Sequence, residues 1–240
     1  MSSLSLLQLK LDQSAAEGTF RQDARGSALV MERSGQTAWL HLPSDTSGPL
    51  PLIVVLHGAG KDKFWSLKDA VDGWAERART HKLLVLYPEA KGSTWDFISS
   101  RQTKRGDVDF IECCIDAVRR AYSVDRLAII GLSDGGSMAL CLALHNPGVF
   151  QAAISVSAGF CVSPPAGLHD AASLKRTKLF MKHGSDDKMF PLERVGLPLR
   201  NNLKRAGYDV EHRVGDGQGH VPQGWQEEFL PAWLAMGPTP

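Results

Sequence analysis

The sequence predicts an α/β protein: a mostly parallel central sheet with helices on both faces and an antiparallel hairpin at its start. Three observations carry this. Short β-branched runs alternate with longer stretches of helical periodicity. Some strand runs, such as 52–56, are apolar at every position, the pattern of a strand covered on both faces. The 240 residues, 43% hydrophobic and 22% charged, can build one packed core, and they contain no repeat or interdomain linker. A single domain over 1–240, with its core at about 27–236, is expected.

Segments 27–33 and 36–42, split by Ser34-Gly35, read as the opening hairpin. A turn-rich connection over 43–51 leads to strand 52–56, which ends in His57-Gly-Ala-Gly60. Leu67, Ala70, Val71, Trp74, Ala75 and Ala78 fall on one face of a helix over 66–80. Strand 83–87 follows, closed by Pro88. The polar stretch 89–105 contains Trp95-Asp96, and its basic residues Arg101, Lys104 and Arg105 read as a solvated loop. Asp107 is placed to cap a helix reaching about residue 122, with Val108, Ile111, Ile115 and Val118 inward. Strands at 127–130, 152–156, 179–182 and 209–214 then alternate with helices. One helix follows the turn 131–136, one covers about 191–206 and stops at Gly207, and the last carries Trp225, Phe229 and Trp233.

A net charge of +1 leaves no global field to draw the protein toward nucleic acid or anionic membranes. Cys113, Cys114, Cys141 and Cys161 form no C-x-x-C pattern and read as free thiols of a reducing compartment. The N-terminus lacks a basic segment followed by an apolar run, and no run is long enough to span a bilayer. A cytoplasmic protein without a membrane span is expected, and a homodimer is left open.

The chemistry centres on Gly131-Leu-Ser133-Asp-Gly135, a G-x-S-x-G turn between a buried strand and a helix. Such a turn lifts the serine hydroxyl above the sheet, which needs glycines two residues before and after. The helix that follows points N–H groups at the same place, so the N–H of Asp134 is one candidate oxyanion donor. The loop His57-Gly-Ala-Gly60 supplies a second, with Ala59 first and Gly60 next. His57 itself reads as a residue hydrogen-bonded within that loop.

A serine hydroxyl needs an imidazole to take its proton and a carboxylate to orient that imidazole. Asp186 and Asp187 follow strand 179–182, at the edge where sites on such sheets form, with Asp187 the first choice. Asp216 lies too close to the presumed base. His220, in the loop after the last strand, is that base, whereas His212 lies inside the strand. His183, at a strand end before glycine, reads as structural like His57.

Together, His57-Gly-Ala-Gly60, Gly131-Leu-Ser-Asp-Gly-Gly136, His183-Gly-Ser-Asp-Asp187 and Gly219-His220 resemble the phospholipase/carboxylesterase group of the α/β-hydrolase superfamily. The nearest likeness is to polyhydroxybutyrate-depolymerase-like and acyl-protein-thioesterase-like esterases, over roughly 50–235. The family pattern H-G-x-x-D, with an apolar residue and Pro downstream, places the acid on Asp187 with Phe190-Pro191 following. The resemblance implies an ester or thioester substrate, no metal and no organic cofactor. It also makes 95–108 a pocket-lining loop. Asp134 departs from the Gln common after the nucleophile in acyl-protein thioesterases, which weighs against that activity.

About twenty residues separate strands 152–156 and 179–182, including Pro164-Pro165 and Gly167, too few for a cap domain. An open site is therefore expected, with Trp65, Trp95, Phe160 and Met189 lining the acyl pocket. The function that follows is a serine carboxylesterase acting on small soluble esters through an acyl-enzyme. A thioesterase or lysophospholipase of the same fold is the alternative, and a non-catalytic ligand-binding member of the fold is the other.

Overall fold

The computed structural model describes residues 6–11, 18–22, 28–60, 73–100, 104–162 and 170–238. The strands are β1 (Arg21–Gln22), β2 (Leu29–Arg33), β3 (Gln36–His41), β4 (Leu50–Leu56), β5 (Leu84–Pro88), β6 (Val124–Leu132), β7 (Ala152–Val156), β8 (Lys178–Gly184) and β9 (Val210–Gly215). The helices are α1 (73–80), α2 (Asp96–Ser99), α3 (Gly106–Ala121), α4 (Asp134–His145), α5 (Ala171–Leu174), α6 (Leu197–Arg205) and α7 (Trp225–Leu234).

The sheet runs in the order β1-β2-β3-β5-β4-β6-β7-β8-β9. From β5 to β9 every pairing is parallel, and β1 to β3 close one edge antiparallel. The hairpin turns on Ser34 and Gly35, both at positive φ (53° and 78°), which suits the right-handed twist of a two-residue hairpin. The chain leaves β4 toward β5 on one side and leaves β6 toward β7 on the other, the kind of topological switch point at which sites form on open α/β sheets.

Strand β4 shows why the core has two halves. Its side chains alternate, with Leu52, Val54 and Leu56 packing into one apolar cluster and Ile53 and Val55 into the other. The first cluster lies under α3, α4 and α6 and takes in Val108, Ile111, Ile115, Val118, Leu140 and Leu203. The second lies under α1 and α7 and takes in Trp74, Ala78, Trp225, Phe229 and Trp233. Burial of one such aliphatic side chain contributes about 1.5–3 kcal/mol, so these two faces dominate stability.

Several elements differ from the sequence reading. Strand β6 extends beyond 127–130 at both ends, because it pairs along its length with β4. The helix expected over 191–206 is a π-helical turn, Leu192–Gly196, running into α6, whose first turn contains Pro198. Asp107 is not a cap. It lies inside the first turn of α3, is buried, and accepts from Gln36 Nε2 (2.8 Å) and from the N–H groups of Lys91 and Asp96. Asp96 answers from the other side, accepting from the N–H groups of Gly106 and Asp107. Each carboxylate thus satisfies N–H groups at the start of the other's helix. Arg105 is not solvated either: it pairs with Asp109 and Glu112 and donates to the carbonyls of Leu6 and Gln8. Arg101, Leu67, Ala70, Val71, Pro164, Pro165 and Gly167 lie outside the described residues. Among the described residues no helix is long and apolar enough to cross a membrane, and the four cysteines carry no disulfide.

Candidate active site

Ser133 sits between β6 and α4 at φ 56° and ψ −119°, a conformation that costs a non-glycine residue about 1–3 kcal/mol. The surrounding packing holds it there. Its N–H donates to the Val156 carbonyl (2.8 Å) on the neighbouring strand. A Cβ on Gly131 would lie 2.2 Å from the Gly135 backbone, and one on Gly135 would lie 2.3 Å from the Leu56 carbonyl oxygen. The two glycines are therefore required by close approach, the first for the tight turn and the second so that α4 can rest on β4.

The hydroxyl of Ser133 lies 2.9 Å from His220 Nε2, and His220 Nδ1 lies 2.8 Å from Asp187 Oδ2. Nδ1 faces a carboxylate and so carries the proton, which leaves Nε2 free to accept from Ser133. Asp187 is 2% exposed. Burial pushes its carboxyl pKa up, but the N–H of Phe190, the bond to and charge of His220, and the N–H of Met189 outweigh burial and hold it below the ordinary value. Those two N–H groups lie 2.9 and 2.8 Å from Oδ1. Asp186 is exposed; its N–H donates to the Gln218 carbonyl. Structure thus separates two adjacent aspartates that sequence leaves as alternatives.

The loops that carry Asp187 and His220 are fastened together. Ser185 N–H donates to the Gly215 carbonyl, Asp186 N–H to that of Gln218, and Gly217 N–H to Ser185 Oγ. Gly184 lies so close that a Cβ there would be 2.1 Å from the Gly219 oxygen and 2.2 Å from that of Gln218. After His220 the chain is tied to the sheet by Lys182, which is buried on β8 and donates to the Gln223 carbonyl (2.8 Å) while pairing with Glu228 of α7.

The loop after β4 comes up beside Ser133, where a Cβ on Gly58 would be 3.4 Å from Ser133 Cβ. Gly60 N–H is already committed to the Ser93 carbonyl (3.0 Å), which removes it as a second-choice oxyanion donor. Asp134 opens α4, so its N–H has no partner within the helix. His57 accepts from Ala90 N–H at Nε2 (3.0 Å) and reaches its own loop at the Gly58 carbonyl (2.7 Å).

The residues named for the acyl pocket separate. Trp65 lies outside the described residues. Trp95 has no exposed surface: it stacks on His57 with ring centroids 4.7 Å apart and gives its indole N–H to the His57 carbonyl. It cannot line a pocket, because its indole is used to brace the β4 loop. Phe160 is half-buried against the core, and Met189 is 65% exposed on the acid loop. Two residues beyond those named as site residues from sequence reach the site. Phe190 presents its ring edge-on to His220 (centroids 5.3 Å, 70°), and Thr94 Oγ1 donates to Asp134 Oδ2 (2.6 Å). The Phe190-Pro191 spacing was the available signal for the first, and none marks the second.

Residues 31–239 match the family model described as "Putative esterase". The chain belongs to this esterase family. Poly(3-hydroxyalkanoate) depolymerase C of Paucimonas lemoignei is 26% identical over 215 residues, covering 76% of this chain and 51% of the relative. The chain thus spans about half the length of that depolymerase. Acyl-protein thioesterase 1 of Neurospora crassa is 26% identical over 198 residues, covering 70% of this chain and 79% of the relative. S-formylglutathione hydrolase from Staphylococcus aureus superimposes with a TM-score of 0.64 at 19% identity, covering 93% and 98% of the two chains. The family and that likeness establish an α/β-hydrolase fold, and among the described residues no cap domain interrupts it between β7 and β8.

Proposed function

We propose that this chain is a serine carboxylesterase that hydrolyses small soluble carboxylic esters, with Ser133 as nucleophile, His220 as base and Asp187 as orienting acid. The observation that carries this is the unbroken relay from Ser133 Oγ to His220 Nε2 (2.9 Å) and from His220 Nδ1 to Asp187 Oδ2 (2.8 Å). His220 takes the hydroxyl proton as Ser133 Oγ attacks the ester carbonyl, and the buried carboxylate stabilises the imidazolium. The N–H groups of Ala59 and Asp134 bind the oxyanion, each donor contributing about 10²–10³ in rate. The tetrahedral intermediate collapses, the alcohol leaves with the proton from His220, and an acyl-Ser133 ester remains. Water, deprotonated by the same imidazole, then releases the acid and restores the hydroxyl.

The short connection between β7 and β8 supports a preference for small substrates, since about twenty residues cannot form a cap that buries a long chain. The thioesterase reading has its own support, because the N. crassa relative is aligned over 79% of its length. Hydrolysis of p-nitrophenyl acetate and butyrate, run beside matched acyl thioesters and a chain-length series, tests both. The account expects burst release from the short esters, kcat/KM falling with longer chains, and loss of turnover in Ser133→Ala. Full turnover in that variant would refute the serine mechanism, and a kcat/KM that favours thioesters would move the assignment to the alternative.

A further inference from the structure

Asp187 is fixed at one oxygen by two N–H groups, yet its other oxygen has to stay in line with His220 through proton transfer. Four observations meet on this point. His183, at the end of β8 and nearly fully buried, places Nε2 2.6 Å from the Phe190 carbonyl oxygen. The same Nε2 lies 3.2 Å from Asp187 Oδ2, the oxygen that His220 also uses. Phe190 returns its N–H to Asp187 Oδ1 and turns its ring edge to His220. Its ring is backed by Gly159, where a Cβ would lie 2.7 Å from the ring.

Nε2 of His183 faces two acceptors and so carries the proton, which makes the ring a donor toward the acid loop. Its other side is also constrained: a Cβ on Gly196, in the π-helical turn, would be 2.8 Å from Nδ1. The imidazole is held between that turn and the acid.

We propose that His183 is a positioning residue for the acid–base pair, clamping Phe190 through its carbonyl and limiting rotation of the Asp187 carboxylate. It touches neither substrate nor Ser133, and it acts through Asp187 and Phe190 on the aim of His220. The role rests on the proposed serine mechanism and goes beyond a residue that merely closes a loop. An error of about 1 Å in a catalytic group can cost about 10²-fold in rate, so a clamp of this kind acts on kcat.

The test compares His183→Gln, whose amide nitrogen reaches the place of Nε2, with His183→Asn, whose amide falls short by one methylene. The substrate is p-nitrophenyl butyrate, and the rate of fluorophosphonate labelling is followed in parallel. The proposal expects His183→Asn to lose about tenfold or more in kcat and in labelling rate, with KM within about twofold of the parent. His183→Gln is expected to recover most of both. Gly196→Ala, which presses on the ring from behind, should lower the kcat of its folded fraction in the same way, and it serves if the histidine variants fold poorly. Equal losses in the Asn and Gln variants, losses that only follow the fraction of folded protein, or full activity in all three variants would overturn it. Failure of the serine mechanism itself would look different, with Ser133→Ala as active as the parent.

Discussion

Gly184→Ala puts the least volume where the site can tolerate it least. The residue ends β8, and the added Cβ would stand 2.1 Å from the Gly219 oxygen and 2.2 Å from the Gln218 oxygen. Ordinary contact begins near 3.4 Å, so the base loop must retreat by about 1.3 Å or β8 must bend by as much. His220 follows Gly219 directly, and the 2.9 Å bond from its Nε2 to Ser133 cannot survive such a shift. A misplacement of about 1 Å in a catalytic group can cost about 10²-fold, so kcat/KM for p-nitrophenyl butyrate is expected to fall about a hundredfold. Gly219→Ala in the facing loop is the matched control, since nothing lies within 4 Å of its Cβ, and it should stay within about threefold of the parent. Melting temperatures measured alongside separate a displaced histidine from an unfolded chain. Parent-like activity in Gly184→Ala would show that the packing of the two loops does not set the position of the base.

Other outcomes follow from the same geometry. Burial first, then the charges of Arg200, His183 and Lys204, lower the pKa of His212 from 6.5 to about 4. The unfolded chain therefore binds the extra proton below 6.5, and the contribution of neutral His212 to stability is lost as pH falls through 4. Urea midpoints measured between these pH values should flatten in His212→Gln, and an unchanged slope would refute the assignment. Asp187 behaves alike at lower pH. Its depressed pKa makes its contribution present above 3.8 and lost as pH falls below that value, a loss that Asp187→Asn should remove from acid-unfolding curves. Lys182→Met removes one of the two cations beside Glu228, leaving Arg213 at 4.0 Å, and the tie to Gln223. Glu228 keeps 30% side-chain exposure, so the cost should fall below the roughly 3–5 kcal/mol of a fully buried broken pair, at about 2 kcal/mol by urea unfolding. No change in stability would contradict that reading.

What sequence shows and what it hides divide along the range of the contacts involved. The turn at Ser133 is legible because its requirement is local: glycines at 131 and 135 leave free the space where a Cβ would stand only 2.2–2.3 Å from neighbouring backbone. The continuous apolar run in β4 is legible for the same reason, since cover on both faces leaves no polar position. Trp95 is not, because an aromatic residue in a loop fits a pocket wall or a core equally well until its partner is known. That partner is the His57 carbonyl, 38 residues away. Asp107 misleads by standing where a cap would stand, while its acceptor sites are filled by Gln36, Lys91 and Asp96. The choice between Asp186 and Asp187 depends on which way a turn faces, and the latch to Gln218 decides it. The π-helical turn before α6 has no sequence period of its own, and in it Gly196 packs against His183, where a Cβ would lie 2.8 Å from Nδ1.

The central claim is that Ser133, raised on its turn and served by His220 and Asp187, is the nucleophile. Its most direct test is the intact mass of the protein after treatment with a fluorophosphonate, followed by peptide mapping. The account predicts one adduct, on Ser133, absent from Ser133→Ala and formed far more slowly in His220→Ala. An adduct on any other residue, or ester turnover by the parent with no adduct formed, would contradict it.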